Sequence, residues 1–280
     1  MVTEKQLFFA GAGSISEAMI KGIVAAHVLP AEQITISNRK NAARLIELNQ
    51  RYGVRVSQDR RADIGNADIV VLAMKPFDVM AALQEIRPAL TEEKLLISVV
   101  AGVAAETIER QVKSALPIIR AMPNTSSFVQ ASATAISQGR WATGAHIEQA
   151  RRLFAAIGIV EVVEEALLDA VTGLSATGPA YFYYMVESLM KAGQAQGLPE
   201  ETCRELLVQT MYGAAMMVRE TGKTPEELRR QVSSPNGTTM AAMNVLEEGG
   251  FQELLQNAVE QATQRAGEMG REVSKTAPIE

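Results

Sequence analysis

Apolar residues follow two different rhythms along this chain. In the first part, short apolar runs recur at residues 7–10, 34–36, 69–73, 95–99 and 118–119. Between them, apolar positions at helical spacing mark residues 15–26, 42–52, 79–86 and 107–113. Fully apolar strands that alternate with helices predict a parallel sheet covered on both faces. Two further strands are predicted at 131–136 and 159–163, with a helix over 146–156 between them. Beyond about Glu165 the strand rhythm stops, and 180–192, 201–218, 225–232, 239–247 and 251–271 all read as helix. The last carries one stripe of Phe251, Leu254, Leu255, Ala258, Val259 and Ala262. The first two are apolar almost all round, as in Tyr181-Phe182-Tyr183-Tyr184-Met185-Val186. A small helical domain has difficulty surrounding two such helices, so a second copy of the chain is expected to cover them.

Composition narrows the chemistry. Apolar residues make up 47%, charged residues 21%, and the formal net charge is −5 over 280 residues. A mildly acidic chain without a basic stripe is not expected to partner nucleic acid; Arg60-Arg61 and Arg229-Arg230 read as solvated helix faces. Cys203 is the only cysteine, and His27 and His146 are the only histidines. No metal site is therefore expected, and a Ser-His-Asp hydrolase is disfavoured. The chain shows neither a leader pattern nor an uncharged run long enough to span a bilayer, so no membrane partner and a cytoplasmic location are expected.

The first strand runs into Gly11-Ala12-Gly13-Ser14-Ile15-Ser16, which opens the first helix. Gly11 permits the tight turn, Gly13 lets backbone approach a pyrophosphate, and Ser16 is small enough for close helix–strand packing. In its strand–turn–helix setting the pattern predicts a Rossmann-type dinucleotide site. At the end of the second strand, where an NAD site carries an acidic residue, stand Ser37, Asn38, Arg39 and Lys40. Two cations and two polar groups suit a 2′-phosphate, so NADPH is the expected cofactor, with NADH as a second possibility. Met74, Lys75, Pro76 and Ala101 lie at carboxyl ends of later strands, where open α/β sheets place ligands, and Asn124 closes the next one. Lys75 is expected to contact the cofactor rather than to act as an acid.

A second polar cluster, Ser233-Ser234-Pro235-Asn236-Gly237-Thr238-Thr239, lies between a charged helix and an apolar helical pattern that starts at Met240. Such a loop offers N–H groups and hydroxyls to a small anion, or simply caps a helix.

Together these segments resemble the pyrroline-5-carboxylate reductases. The resemblance rests on G-A-G-S-I-S at Gly11, A-M-K-P at Ala73, V-A-G-V at Val100 and R-A-M-P-N-T at Arg120. It continues through D-A-V-T-G-L-S-A-T-G-P-A-Y at Asp169 and V-S-S-P-N-G-T-T at Val232. Ala176-Thr177 replaces a usual Gly-Ser, Asn236 replaces the first glycine of a usual pair, and Met243 is a minor apolar variation. The resemblance implies hydride transfer from NAD(P)H to the C=N carbon of 1-pyrroline-5-carboxylate, giving L-proline, the last step of proline biosynthesis. It implies that Ser234, Asn236, Gly237, Thr238, Thr239 and Glu165 bind substrate, with N–H groups around Asn236, Gly237 and Thr238 holding its carboxylate. Thr239 is implied as the catalytic hydroxyl at the ring nitrogen, and Gln231 as a residue near the cofactor. It also implies dimers through the helical domain, assembled into decamers.

The expected fold class is thus an α/β N-terminal Rossmann-type domain, a mostly parallel doubly wound sheet, followed by an all-α C-terminal dimerisation domain. The expected boundaries are 1–165 for nucleotide binding, 166–273 for the helical dimerisation and substrate domain, and 274–280 for a flexible tail. Two rival readings stay open. A β-hydroxyacid dehydrogenase shares this domain order but uses a K-x-x-N pattern, whereas Lys191 here is followed by Ala192-Gly193-Gln194. A catalytically silent NADPH-binding sensor has no need of the Ser233–Thr239 hydroxyls.

Overall fold

A computed structural model describes residues 4–276 of the chain. Among the described residues, strands β1 (Leu7–Ala10), β2 (Ile34–Ser37), β3 (Arg55–Val56), β4 (Ile69–Leu72), β5 (Leu95–Ser98), β6 (Ile118–Met122), β7 (Ser132–Gln138) and β8 (Gly158–Val162) build an eight-stranded sheet. Its order is β3-β2-β1-β4-β5-β6-β7-β8. Every pairing is parallel except β6 with β7. The exception has a local cause. Only residues 123–131, built around a 3₁₀ turn at Thr125–Val129, separate these two strands, and a parallel return needs a longer crossover.

Successive strand residues point to opposite faces, and both faces are buried. Leu7 and Phe9 join a core with Ile34, Ile36, Ile69 and Val71, covered by helices α1 (Ser14–Ala25) and α2 (Ala42–Tyr52). Phe8 joins a second core with Val70, Leu72 and Leu96, covered by α3 (Arg60–Asn66), α4 (Val79–Ile86) and α5 (Ala105–Val112). Helix α6 (Gly144–Ala155) returns to the first face through Leu153 and Phe154. The doubly wound, mostly parallel sheet expected from the apolar runs is the observed one. Strand β3 and helix α3 had no counterpart among the predicted elements. The first is two residues long, and the second buries only Ile64, so neither produces a periodic signal.

Past β8 the chain is helical: α7 (Leu168–Val171), continuing as a π-type turn over Thr172–Ala176, then α8 (Gly178–Ala195), α9 (Glu200–Thr221), α10 (Pro225–Gln231), α11 (Thr238–Glu248) and α12 (Phe251–Thr276). The compact units divide differently from the expected boundaries. One holds the sheet, continues to Gly178 and takes back the chain from Glu260; the other is Pro179–Val259. The physical reason is burial. Leu168 packs with Met122 and Ala135, and Val273 enters the second sheet core. Of the expected flexible tail, 274–280, residues 274–276 are described and are helical. Helix α12 continues through Thr276, and Ser274 Oγ lies 3.1 Å from Thr107 Oγ1 and donates to the Gly270 carbonyl at 3.0 Å. Residues 277–280 lie outside the described residues.

Within Pro179–Val259, Cys203 is the only buried residue. Large apolar side chains such as Phe182, Tyr183, Tyr184, Leu206 and Tyr212 are exposed, Tyr184 by 71%. Among the described residues, no helix is long and apolar enough to cross a membrane.

Candidate active site

Strand β1 ends at Ala10 and α1 begins at Ser14, so the chain turns over Gly11-Ala12-Gly13. Gly11 has φ +122°, and a Cβ there would stand 2.1 Å from the Ala73 carbonyl oxygen, so glycine is obligatory. Its N–H donates to the Ser37 carbonyl at 3.0 Å, and its carbonyl accepts from the buried Ser16 hydroxyl at 2.8 Å. Gly13 is different. No other part of the chain lies within 4 Å of a Cβ built there, so internal packing does not require glycine and the space beside the turn is open. Gly13 caps α1 without a side-chain bond, and the N–H groups of Ala12, Gly13, Ser14 and Ile15 have no acceptor among the described residues.

These free amides open onto a cleft of about 500 Å³ lined by residues 10–15, 37–40 and 73–75, with Arg60, Asp78, Ala82, Ile86 and Val99 completing its wall. Of the expected cofactor contacts, Gly11, Ala12, Gly13, Ser14, Ile15, Ser37, Asn38, Arg39, Met74 and Lys75 therefore come together here. Pro76, Ala101, Asn124 and Gln231 do not line it. Pro76 opens a 3₁₀ turn, Pro76–Asp78, that presents Asp78 instead. Ala101 packs on the small apolar cluster of Met122, Ala135 and Leu168. The Asn124 amide is spent internally, accepting from Ser126 N at 3.1 Å and donating to the Ser175 carbonyl at 3.3 Å. Gln231 belongs to the helical unit, where its Oε1 accepts from Lys223 at 3.2 Å.

The cleft is cationic. Arg39, Lys40 and Lys75 are exposed and make no ion pair among the described residues, while Arg60 is held by both oxygens of Glu85 at 2.9 and 3.0 Å. The carbonyl of the Asn38 side chain accepts from Lys40 N at 3.1 Å and Asn41 N at 3.3 Å, which fixes the polar run after β2. Lys40, expected beside Arg39, lines the cleft as well, whereas Arg60, Asp78, Ala82, Ile86 and Val99 were missing from the expected contacts. For Asp78, Ala82 and Ile86 a signal existed, since a four-residue spacing puts them on one face of a helical turn. Arg60 read as a solvated face because α3 itself left no trace.

Glu165 is not a free surface carboxylate. Its Oε1 accepts from Arg120 Nη1 at 2.9 Å and from Ala105 N, at the start of α5, at 2.7 Å. Arg120 sits on β6 with its side chain 6% exposed, and its Nη2 has no partner. Nearby, Thr177 Oγ1 donates to the Thr172 carbonyl at 2.9 Å, closing the π-type turn. The replacement Ala176-Thr177 is thereby absorbed into the turn. Such turns occur often at functional sites.

In the helical unit, the loop from Ser233 to Thr239 connects α10 to α11. Asn236 adopts φ +59°, a left-handed conformation that asparagine tolerates, which explains how it replaces glycine. The Gly237 N–H donates to the Ser234 carbonyl at 3.0 Å, so this amide is already spent. Of the expected anion donors, the Gly237 amide alone is occupied among the described residues. Gly237 is the N-cap of α11, and the Asn236, Thr238 and Thr239 amides and both threonine hydroxyls have no partner among the described residues. Ser233 Oγ is also spent, on the Arg229 carbonyl at 2.7 Å.

A doubly wound sheet with a glycine turn, unpaired amides and unpaired cations at its carboxyl edge, followed by helices, defines a nicotinamide-dependent oxidoreductase. Residues 6–102 match the family described as NADP oxidoreductase, coenzyme F420-dependent, and residues 165–269 match that described as pyrroline-5-carboxylate reductase dimerisation. The chain is 39% identical over 274 residues to pyrroline-5-carboxylate reductase 1 of Bacillus spizizenii, covering 98% of this chain and 92% of that one. It is 41% identical to pyrroline-5-carboxylate reductase 2 of Bacillus subtilis, covering 98% of each chain. The solved pyrroline-5-carboxylate reductase of Coxiella burnetii superposes with a TM-score of 0.89 at 35% identity, covering 95% of this chain and 98% of that one. The Plasmodium falciparum enzyme, solved with NADP bound, gives 0.85 at 28% identity, covering 96% and 100%. The chain belongs to the pyrroline-5-carboxylate reductase family.

Proposed function

We propose that the chain reduces 1-pyrroline-5-carboxylate to L-proline with NADPH, the last step of proline biosynthesis. The observation that carries the cofactor reading is the wall after β2. No carboxylate follows Ser37, and Arg39 and Lys40, which make no ion pair among the described residues, line the cleft there, which supports recognition of a 2′-phosphate. When bound, NADPH supplies the hydride that reduces the imine carbon. The chain's own residues position the reactants and balance charge. The free amides of Ala12 to Ile15 hold the pyrophosphate at the N-terminus of α1, where the helix dipole favours an anion.

The Thr238 and Thr239 amides hold the substrate carboxylate at the N-terminus of α11 in the same way. The Thr239 hydroxyl hydrogen-bonds the ring nitrogen, donating to the neutral imine and accepting from the protonated one, and relays its proton. The second oxygen of Glu165 has no internal partner and is the one available to substrate. A ring imine is readily protonated near neutral pH, so no tuned histidine is needed. His146 is in any case committed to capping α6, its Nδ1 accepting from Thr143 N at 3.0 Å. The hydroxyacid dehydrogenase reading gains nothing, since Lys191 is an exposed residue paired with Glu187 at 2.6 Å.

The exposed aromatic helices of the Pro179–Val259 unit support assembly of the chain into dimers through this region, and the family resemblance extends that to decamers. Sedimentation separates monomer, dimer and decamer. A cytoplasmic location belongs to the same reading and is tested by cell fractionation. The function itself is tested by following NADPH oxidation on addition of 1-pyrroline-5-carboxylate, with NADH run in parallel. Faster turnover with NADPH at low cofactor concentration is expected, and a clear preference for NADH overturns the cofactor reading.

A further inference from the structure

Glu17, four residues beyond Gly13 on α1, is an almost fully buried acid. Its carboxylate accepts from Arg44 on α2, from Arg51 Nη1 at 2.7 Å and from the Tyr52 hydroxyl at 3.0 Å. Its side chain is 8% exposed. Arg44 divides its guanidinium three ways. One nitrogen goes to Glu17, Nη1 goes to Glu47 at 2.7 Å, and Nε donates to the carbonyl of Ala12 at 3.4 Å. None of these residues lines the cleft apart from Ala12.

A buried ion pair contributes little net stability once desolvation is counted, so the cluster calls for another reason. The Ala12 carbonyl provides it. A trans peptide is planar, with the carbonyl and the next N–H on opposite sides. Holding the Ala12 carbonyl toward Arg44 turns the Gly13 N–H the other way, and that N–H is one of the free donors of the glycine turn. Arg44 also lies on the helix that directly follows the Asn38-Arg39-Lys40 run, its own N–H donating to the cap residue Asn41 at 3.0 Å. One side chain thus ties together the two segments assigned to the pyrophosphate and the 2′-phosphate.

We propose that Arg44, oriented by Glu17, is a positioning residue for cofactor binding: it fixes the Ala12–Gly13 peptide so that the glycine turn presents its amides ready-made to the pyrophosphate. The proposal rests on the cofactor reading above. Its test compares Arg44→Met with Arg51→Met. Both remove one cationic donor from the Glu17 carboxylate, and only the first removes the bond to Ala12.

Titration calorimetry with NADP⁺ should show Arg44→Met weakened about tenfold, the scale of one lost charge-assisted hydrogen bond, with Arg51→Met within about twofold of the parent. In turnover, the KM for NADPH should rise while kcat and the KM for the imine hold. Arg44→Lys keeps the charge without the fork and should fall between parent and Met variant, and it replaces Arg44→Met if that protein does not fold. Equal weakening in the Arg44 and Arg51 variants, or none in either, overturns the proposal. A parent protein that fails to bind NADP⁺ overturns the cofactor reading instead.

Discussion

Arg120 and Glu165 form an ion pair at 2.9 Å in which the cation is almost completely enclosed. The carboxylate spends the same oxygen on the first amide of α5, so it joins the middle of β6 to the start of α5. Glu165→Ala leaves a buried guanidinium without its partner and should destabilise the protein by about 3–5 kcal/mol in urea unfolding. Adding Arg120→Met should recover part of that loss, since the orphaned charge is gone. If the double variant is as unstable as the sum of the single ones, the pair is not coupled as described.

A second expectation concerns two glycines. Gly270 on α12 packs its backbone directly on Gly102, and a Cβ at Gly270 would stand 2.0 Å from the Gly102 carbonyl oxygen. Backbone cannot step aside as a side chain can. Gly270→Ala should therefore cost about 1–3 kcal/mol, visible as a lowered melting temperature, although alanine favours helix elsewhere. An unchanged melting temperature would show that α12 does not seat on this loop.

Much of this fold was legible because a buried parallel sheet writes uninterrupted apolar runs. Leu7 to Ala10 and Ile69 to Leu72 are buried throughout, so their assignment needed no partner. The site was legible where its chemistry lies in consecutive residues, as in Gly11 to Ile15 and Ser37 to Arg39. Arg60 and Ile86 escaped because they reach the cleft from separate helices. The spent Gly237 amide escaped because a turn closing on Ser234 depends on φ at Asn236, which residue order alone leaves open. The compact units divide at Gly178 and Glu260 rather than at 165 for a related reason. A helix that packs on a sheet and one that does not can share a period.

The cationic run after β2 should set cofactor preference. Arg39→Glu places a carboxylate where a 2′-phosphate is expected, and should raise the KM for NADPH about tenfold or more while leaving that for NADH within about twofold. Equal effects on both cofactors would remove Arg39 from 2′-phosphate recognition.

Glu17 gives a pH dependence with a definite sign. Burial pushes its carboxyl upward, but the hydrogen bonds from Arg44, Tyr52 and Arg51 outweigh this and hold it below the ordinary value of 4.5. A carboxylate lowered on folding adds stability above its unfolded pKa, and loses it as pH falls through the folded one. Between about pH 5 and pH 3 the parent should lose stability more steeply than Glu17→Gln, which has no charge to lose. Parallel curves would show that the cluster does not favour the ionised form.

Thr239 is expected to matter for turnover rather than folding, because its hydroxyl has no internal partner. Thr239→Ala should lower kcat about 10- to 100-fold with an unchanged melting temperature, and Thr239→Ser should retain most activity. Unchanged kinetics in Thr239→Ala would remove the hydroxyl from the mechanism.

The most direct measurement is the product balance of the purified protein given NADPH and 1-pyrroline-5-carboxylate. One L-proline should appear for each NADPH consumed. NADPH bound but not consumed, or consumed only with a substrate other than the imine, would contradict the assignment.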